Sequence, residues 1–507
     1  MSARKNIAIP HEPMRKAYQV IISRLDGERL DDTAYRDKLV ELVDNGIGGF
    51  IIFGGKLETI REFIGDMQAR ADIPLFIASD IERGAAQQIA GLTAFPSQMA
   101  VAAALDPTYK DDETLLKKML EAIADESAYA GINMPLIPVL DVNRDPDNPI
   151  ICTRAFSDNP DTVSRFGSIY IDALQQRGLI SCPKHFPGHG DTATDSHIAL
   201  PVMKKTKDDL YHIDLKPFVS AVKNRADAIM IGHLKVPVLD EMPASLSKHI
   251  ITGLLRTELG FEGLIVTDAL NMHALKEFGD VPVECLEAGA NVLLHPDDPD
   301  ETVSALLSAL RGKRLHTDIL DSSVKRILAA KMRFMNNLPS KHNEIDLVKH
   351  SALSQEISQR SVTLLKDTSA LLPLCNSNVR VIFAGDENYF SRSPFDALTR
   401  SSASGSNEVQ VAETIIIVIF TSVSAWRGSS GISIKEKMRL LSIINNANKS
   451  IVVSFGSPYV LRHFSNADVL IAAYDATVQA QQAVIRCLKG LCPFTGKLPV
   501  IISEVSS

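Results

Sequence analysis

The sequence is short of the residues that mark several large classes of protein. It contains one tryptophan, and aromatic residues make up 6% of its 507 residues, so nothing in it indicates a large stacking platform. The net charge is −8, with acidic and basic residues interspersed, which argues against nucleic acid or an anionic membrane surface as a partner. The strongest apolar run, "TIIIVIF" at 414–420, is far shorter than the roughly 20 residues of a membrane-spanning helix.

Cysteine is also scarce. The six cysteines lie at positions 152, 182, 285, 375, 487 and 492. None of them forms a C-x-x-C pair, and several lie in apolar segments, which indicates buried free thiols in a reducing compartment. The N-terminal stretch "MSARKNIAIPHEPMRKAYQ" has no apolar core of signal-peptide length. We therefore expect a cytoplasmic protein.

Up to about residue 300 the sequence alternates between short apolar runs and amphipathic segments such as "AYRDKLVELVDN". Apolar strands that alternate with amphipathic helices are typical of a parallel sheet covered by helices. Eight such units predict an α/β fold of the (β/α)8 TIM-barrel type, with a doubly wound sheet as the competing arrangement. The eight runs are 19–25, 48–54, 74–80, 134–142, 179–185, 228–234, 264–270 and 291–296.

Ionisable residues end or follow most of these runs. Active sites of barrels lie at the C-terminal ends of the strands, and helix capping alone does not require so many ionisable residues there. We therefore expect their side chains to meet at one face of the barrel. The residues are Asp80, Asp141, Lys184, His185, His233, Asp268 and His295.

After about residue 345 a second α/β pattern begins. Strand-like runs at 379–385, 414–420, 450–456 and 468–474 flank the helical segment "KEKMRLLSIINNAN". We predict a smaller α/β sandwich domain with a mostly parallel sheet. The predicted boundaries are residues 1–336 for the barrel, 337–347 for a linker and 348–507 for the second domain.

The stretch "KHFPGHGDTATDSH", residues 184–197, is the densest cluster of residues whose side chains can act as acids, bases or metal ligands. Its prolines and glycines predict a loop. Asp195 and His197 stand at i and i+2, so in an extended chain the aspartate can orient the histidine as an acid/base dyad. Two alternatives stay open at this point. One is a metal site built from His185, His189, Asp195 and His197, and the other is an ordinary solvated loop.

The same stretch resembles K-H-F-P-G-H-G-x4-D-S-H, the signature of the β-N-acetylglucosaminidase branch of family 3 glycoside hydrolases. The resemblance extends over essentially the whole chain and implies a barrel followed by a second domain. Four further segments are similar to family segments in the same order, namely 94–106, 138–157, 243–272 and 359–374.

The resemblance implies a role for several residues. Asp268 is the nucleophile, His197 the general acid/base and Asp195 its partner. No cofactor and no metal ion is implied. The residues that bind the sugar are, by the same resemblance, Asp80, Arg154, Lys184 and His185.

Two positions depart from the family pattern. Arg83 stands where a glycine is usual, and Gln88 stands where this branch often has an arginine that contacts the sugar. These departures leave the preference among terminal sugars open.

The expected function is that of a retaining exo-β-N-acetylglucosaminidase whose partner is a carbohydrate, a muropeptide-like fragment of peptidoglycan, and neither nucleic acid nor a membrane. Transfer to phosphate within the same family is one alternative. A metal-dependent barrel hydrolase and a sugar-binding protein without catalysis are alternatives from other classes. The sequence does not indicate an oligomeric state.

Overall fold

The computed structural model describes residues 9–192, 200–337, 344–374, 379–391, 393–396, 398, 414–421 and 430–502. The chain forms two compact units. The first unit comprises Met1–Ala94, Lys117–Asp141 and Val163–Leu347, and the second comprises Phe95–Leu116, Val142–Thr162 and Val348–Ser507. Most of the predicted linker at 337–347 lies outside the described residues, so the predicted domain boundaries stay a prediction.

The first unit is built on parallel strands, as predicted. A five-stranded sheet has the order β4-β3-β2-β1-β9, β5 pairs in parallel with β8, and β6 and β7 form a small antiparallel pair. The strands are β1 (Ile21–Asp26), β2 (Gly49–Phe53), β3 (Phe76–Ser79), β4 (Met134–Pro135), β5 (Ala228–Ile231), β6 (Lys235–Val236), β7 (Asp240–Pro243), β8 (Leu264–Thr267) and β9 (Leu293–Leu294).

Isolated parallel bridges connect these strands further. Val139 pairs with Lys184, Phe186 pairs with Ile231, and Val266 pairs with Val292. Together with the sheet pairings, the bridges link all eight predicted runs in chain order and link the last run to the first. Seven of the runs contain a strand, whereas the run at 179–185 contains no strand and pairs only through an isolated bridge. Pro183 and Pro187 flank its bridging residues, and a proline has no N–H to donate to a ladder.

Helices follow the strands of the first unit, and side-chain caps begin several of them. Asp32 accepts hydrogen bonds from the amides of Ala34 and Tyr35, and Asp298 caps its helix in the same way. The α-helices that lie wholly or largely in this unit are Pro13–Gln19, Thr33–Asp44, Leu57–Arg70, Lys110–Ala130, Pro160–Gln176, Lys207–Asp209, Lys216–Lys223, Val281–Ala288, Pro299–Arg311 and Thr317–Asn337. Wider π-helical turns span Leu210–Asp214 and His249–Glu258, and 3-10 turns span Gly27–Arg29, Ala85–Gln87, Ala244–Leu246 and His273–Leu275.

The second unit contains the predicted mostly parallel sheet, of order β10-β14-β13-β12-β11. The edge strand β10 is antiparallel to β14, a feature that the sequence did not predict. The strands are β10 (Thr363–Asp367), β11 (Val379–Gly385), β12 (Thr414–Phe420), β13 (Lys449–Phe455) and β14 (Val469–Ala472). The helices are Gln98–Ala104, Leu347–Ser361, Ile434–Asn445 and Val478–Leu488, with 3-10 turns at Cys152–Arg154, Glu387–Tyr389 and Pro458–Phe464.

The apolar run of β12 is buried on both faces of this sheet. Ile417 and Ile419 belong to one core cluster, while Ile416 and Val418 belong to the cluster on the other side. This alternation explains why the strand reads as a continuous apolar run and not as an alternating one. Within the described ranges, no helix is long and apolar enough to cross a membrane.

Candidate active site

A buried lysine lies between two carboxylates beside the end of β3. Lys184 Nζ lies 2.5 Å from Asp80 Oδ1 and 2.8 Å from Glu82 Oε1. The lysine side chain is 1% exposed, Glu82 is buried, and Asp80 is partly open to solvent. A buried ammonium group requires such partners because an unpaired charge away from water is costly. The ion pair therefore fixes Asp80 and Lys184, two of the predicted sugar-binding residues, in direct contact.

A second buried carboxylate, that of Asp141, orients the beginning of the predicted loop. Asp141 Oδ2 lies 2.7 Å from His185 Nδ1, and its Oδ1 accepts from the backbone amides of His189 at 2.7 Å and of His185 at 3.3 Å. Burial alone would raise the pKa of Asp141, but the charge and hydrogen bond of His185 and the contacts of His189 lower it below its usual value. The ionised carboxylate can only accept, so His185 Nδ1 carries the proton.

His189 lies next to this pair. Its ring centroid is 5.9 Å from that of His185, and its Nδ1 lies 2.7 Å from Thr192 Oγ1. Burial first, and then the charge of His185, lower the pKa of His189 to about 4. His189 is therefore neutral at neutral pH and adds no charge to the site.

Asp268, the predicted nucleophile, follows the last residue of β8. Its backbone amide donates to Ile231 O at 2.9 Å, and its Oδ1 accepts from the amide of Ala269 at 2.8 Å. These contacts set the start of the chain segment that leaves the strand, but they do not cap a helix, because the 3-10 turn that follows begins only at His273. His233 Nε2 lies 3.2 Å from Ala269 O, on the neighbouring strand end.

The thiol of Cys182 indicates that three of these charges lie near one another. Burial raises the pKa of Cys182, and the charges of Lys184, Asp80 and Asp268 act on the same thiol. The backbone agrees, because the amide of Asp268 donates to Ile231 O and Ile231 pairs with Phe186, two residues after Lys184, so the three charged groups follow neighbouring parallel strands at their carboxyl ends. This is the face on which active sites of barrel-like α/β proteins lie.

The remaining predicted residues are placed differently. Arg154 belongs to the second unit, where it ends the 3-10 turn Cys152–Arg154 and its Nη1 donates to Ile150 O at 2.9 Å. Asp195 and His197 lie outside the described residues, so the predicted dyad stays a prediction. Asp80, Lys184, His185 and Asp268 all belong to the first unit.

Two carboxylates of the site were not predicted to have a role. The sequence places Asp141 at a strand end without a specific role, and it predicts no role for Glu82. The signal for Glu82 is its position two residues after Asp80, which places both carboxylates beside one lysine. The signal for Asp141 is its place directly after the apolar run "PVL", at the end of the strand that precedes the Lys184 and His185 pair in the chain.

The metal alternative finds no support in the described part of the chain, where no three His, Cys, Asp or Glu side chains are grouped as a metal site. His185 and His189 instead contact Asp141 and Thr192. Asp195 and His197, which the alternative also needs, are outside the described ranges.

Carboxylates, a lysine and a tautomer-fixed imidazole thus lie at the carboxyl ends of parallel strands, where the active sites of α/β enzymes lie. The pattern described as "Glycosyl hydrolase family 3 N terminal domain" matches residues 16–330. The chain belongs to glycoside hydrolase family 3, and it is a glycoside hydrolase.

Individual relatives agree with this assignment. The chain is 28% identical to Beta-hexosaminidase A of Pseudoalteromonas piscicida, over 93% of this chain and 92% of the relative. It is 35% identical to a Beta-hexosaminidase of Idiomarina loihiensis, over 51% of this chain and 79% of the relative. Its fold is similar to the structure of a glycoside hydrolase family 3 beta-N-acetylglucosaminidase from Paenibacillus sp. str. FPU-7, with a TM-score of 0.84, 26% identity and coverage of 97% and 99% of the two chains.

Proposed function

We propose that the protein is a retaining exo-β-N-acetylglucosaminidase that releases terminal β-linked N-acetylglucosamine. The single observation that carries the proposal is that Asp268 and the Lys184–Asp80 ion pair lie at the carboxyl ends of neighbouring parallel strands. The names of the relatives, Beta-hexosaminidase and beta-N-acetylglucosaminidase, support the choice of sugar. The parallel pairings that run from β1 through β9 and back support a (β/α)8 barrel as the scaffold.

In the proposed mechanism, Asp268 attacks the anomeric carbon. Breaking the glycosidic bond develops positive charge on the sugar, and a carboxylate beneath the ring captures that charge as a covalent glycosyl-enzyme. Water then displaces Asp268 from the same face that the leaving group occupied, so the configuration is retained. The amide of Ala269 already donates to Asp268 Oδ1, which holds one oxygen of the carboxylate in place.

The leaving oxygen needs a proton, and the attacking water must lose one. We assign both steps to His197, with Asp195 as its partner, on the resemblance of "DSH" to the family signature. An imidazole with an ordinary pKa near 6.5 suits both steps at neutral pH. Nε2 of His185 and Nζ of Lys184 contact sugar hydroxyls and hold the ring over Asp268. Arg154 is proposed to bind the sugar as well.

The proposed substrate is a peptidoglycan fragment, and the proposed location is the cytoplasm. Free thiols support a reducing compartment, because Cys152, Cys182 and Cys285 are buried without a disulfide. The sulfur atoms of Cys487 and Cys492 lie 3.6 Å apart and are not joined by a disulfide.

The test is hydrolysis of an aryl β-N-acetylglucosaminide beside the aryl β-glucoside, by the wild type, Asp268→Ala and His197→Ala. We expect turnover of the acetamido sugar alone, its loss in Asp268→Ala and a reduction of about 10²–10⁴-fold in His197→Ala. Each assay is repeated with a chelator and with added phosphate. Loss of activity on chelation would favour a metal-dependent hydrolase, and a glycosyl phosphate product would favour a phosphorylase.

A further inference from the structure

Arg24 lies on the same side of the first sheet as the site. Arg24 pairs with Ile51, and Ile51 pairs with Ala78, so the three side chains point to one face. Phe53 and Asp80 follow Ile51 and Ala78 by two residues and continue that face toward the carboxyl ends of the strands. Arg24 and Asp80 therefore share the face that carries the proposed sugar site.

Ring and charge contacts place the Arg24 guanidinium at this end of the sheet. Its Cζ lies 4.7 Å from the Phe53 ring centroid, and that ring lies 5.4 Å from the ring of His295. Burial, and next the charge of Arg24, lower the pKa of His295 to about 4, while Asp80 acts in the opposite direction. The charges of Arg24 and Asp80 thus both act on the His295 ring.

The guanidinium is accessible although its neighbours in the strand are not. The Arg24 side chain is 46% exposed, whereas Ile22 and Leu25 are buried. Among the residues that the structure describes, its guanidinium makes one hydrogen bond, from Nη2 to Asp26 Oδ2 at 3.2 Å. A guanidinium has five N–H groups, so the others face water or a ligand. The exposure of Arg24 therefore leaves room for a ligand beside its guanidinium, on the face of the sheet that also carries Asp80.

The surrounding charges favour a neutral ligand in this space. Carboxylates outnumber cations, so an anionic ligand would be repelled while a hydroxyl group, which both donates and accepts, fits. The cations are Arg24 and Lys184, and the carboxylates are Asp26, Asp80 and Glu82.

We propose that Arg24 is a specificity-determining residue that binds the edge of the terminal sugar remote from the scissile bond. Asp80 accepts a hydrogen bond from one hydroxyl at that edge, and Arg24 donates to the oxygen of its neighbour. A fixed acceptor and a fixed donor together read the configuration of adjacent hydroxyls, because the epimer leaves one of the two partners unsatisfied. This inference rests on the proposed function and names the residue that selects among its sugars.

The test compares Arg24→Gln and Arg24→Lys with the matched control Arg29→Gln. Arg29 is also stacked on an aromatic ring, with Cζ 4.2 Å from the Tyr35 centroid, also lies near an aspartate, with Nη2 3.7 Å from Asp32, and is 56% exposed. The assay measures kcat/KM for the aryl β-N-acetylglucosaminide and for its C4 epimer, the β-N-acetylgalactosaminide. Circular dichroism and thermal melting check that each variant is folded.

We expect Arg24→Gln to lower kcat/KM for the better epimer by about 10–100-fold, chiefly through KM, and to change the poorer epimer much less. The ratio of kcat/KM for the two epimers should fall toward one. Arg24→Lys should recover part of the loss, since an ammonium donates but lacks the planar fork. Arg29→Gln should change neither rate nor ratio.

Three results would overturn the inference. An active wild type whose epimer ratio is unchanged in Arg24→Gln would contradict it alone. An equal loss for both epimers with a lowered melting temperature would assign Arg24 a structural role. A wild type that turns over neither acetamido sugar would overturn the proposed function and this inference with it.

Discussion

Two buried lysines show how differently the two ends of the first unit are built. Lys184 and Lys331 are each 1% exposed. Lys184 lies at the carboxyl ends of the strands between Asp80 and Glu82. Lys331 lies at the opposite end, where its Nζ donates to Gln19 Oε1 and Gly48 O, both at 2.7 Å, just before β1 and β2 begin.

The partners decide the charge of each lysine. Two carboxylates stabilise the ammonium form of Lys184. Lys331 contacts neutral oxygens and the face of Phe76, and burial lowers its pKa well below the usual value. The comparison teaches that burial alone does not mark a functional lysine, whereas burial among fixed opposite charges does. Changes at the carboxyl end should alter activity, and changes at the amino end should alter stability.

The sharpest contrast should come from Asp268→Asn. Removing the carboxylate that we propose as the nucleophile should lower kcat/KM for the acetamido glycoside by about 10⁴-fold. The substitution keeps the size of the side chain and should not change the fold, so the midpoint of urea unfolding should stay within error of the wild type. A variant that retains more than a tenth of the activity would exclude Asp268 as the nucleophile.

Lys184→Met should damage both properties. Removing one partner of a buried ion pair typically costs about 3–5 kcal/mol, because the buried Glu82 loses its ammonium partner. Urea unfolding measures the loss, and kcat/KM should fall with it. Adding Glu82→Gln should recover much of the stability but not the activity. If the double variant recovers both, Lys184 does not contact the substrate.

Asp141→Asn should have a smaller effect, mainly on activity. The amide retains one acceptor, so it cannot serve both His185 Nδ1 and the amide of His189. We expect kcat/KM to fall by about 10–100-fold. Because folding lowers the pKa of Asp141, its carboxylate stabilises the fold above about pH 4, and this contribution is lost as the pH falls through its folded pKa. The stability difference between wild type and variant should therefore shrink in acid, and a constant difference would contradict the argument.

Lys331→Met should leave kcat/KM unchanged. In the wild type, burial lowers the pKa of Lys331 in the folded state well below its usual value, whereas the unfolded state binds a proton at this lysine below about pH 10.4. The unfolded state binds more protons, so wild-type stability rises with pH toward that value relative to the variant, by up to about 1.4 kcal/mol per pH unit. Urea unfolding at pH 7 and pH 9 measures the slope. A loss of activity in Lys331→Met would contradict the expectation that residues at the amino ends of the strands affect stability and not activity.

Much of the fold could be predicted because it follows from local patterns. All eight apolar runs of the first unit fall on paired segments, and all four runs of the second contain strands. The antiparallel β10 was not predicted, since pairing direction depends on a partner 100 residues away and not on the strand itself.

The positions of several candidate residues could be predicted, whereas their roles stay a prediction. Asp80, Lys184, His185 and Asp268 stand at strand ends that the sequence marks. Glu82 and Asp141 act through Lys184 and His185, which lie on other strands, so their roles depend on three-dimensional proximity. The grouping of Arg154 with the second unit depends in the same way on contacts distant in sequence.

The most direct test of the account is to trap the covalent intermediate. The wild type and Lys331→Met are incubated with a 5-fluoro N-acetylglucosaminyl fluoride, and intact mass and peptide mass spectrometry locate the adduct. We predict one sugar per chain on the peptide that contains Asp268, in both proteins, and none in Asp268→Asn. An adduct on another residue, or turnover without any adduct and with inverted configuration, would contradict Asp268 as the nucleophile at the carboxyl end of the sheet.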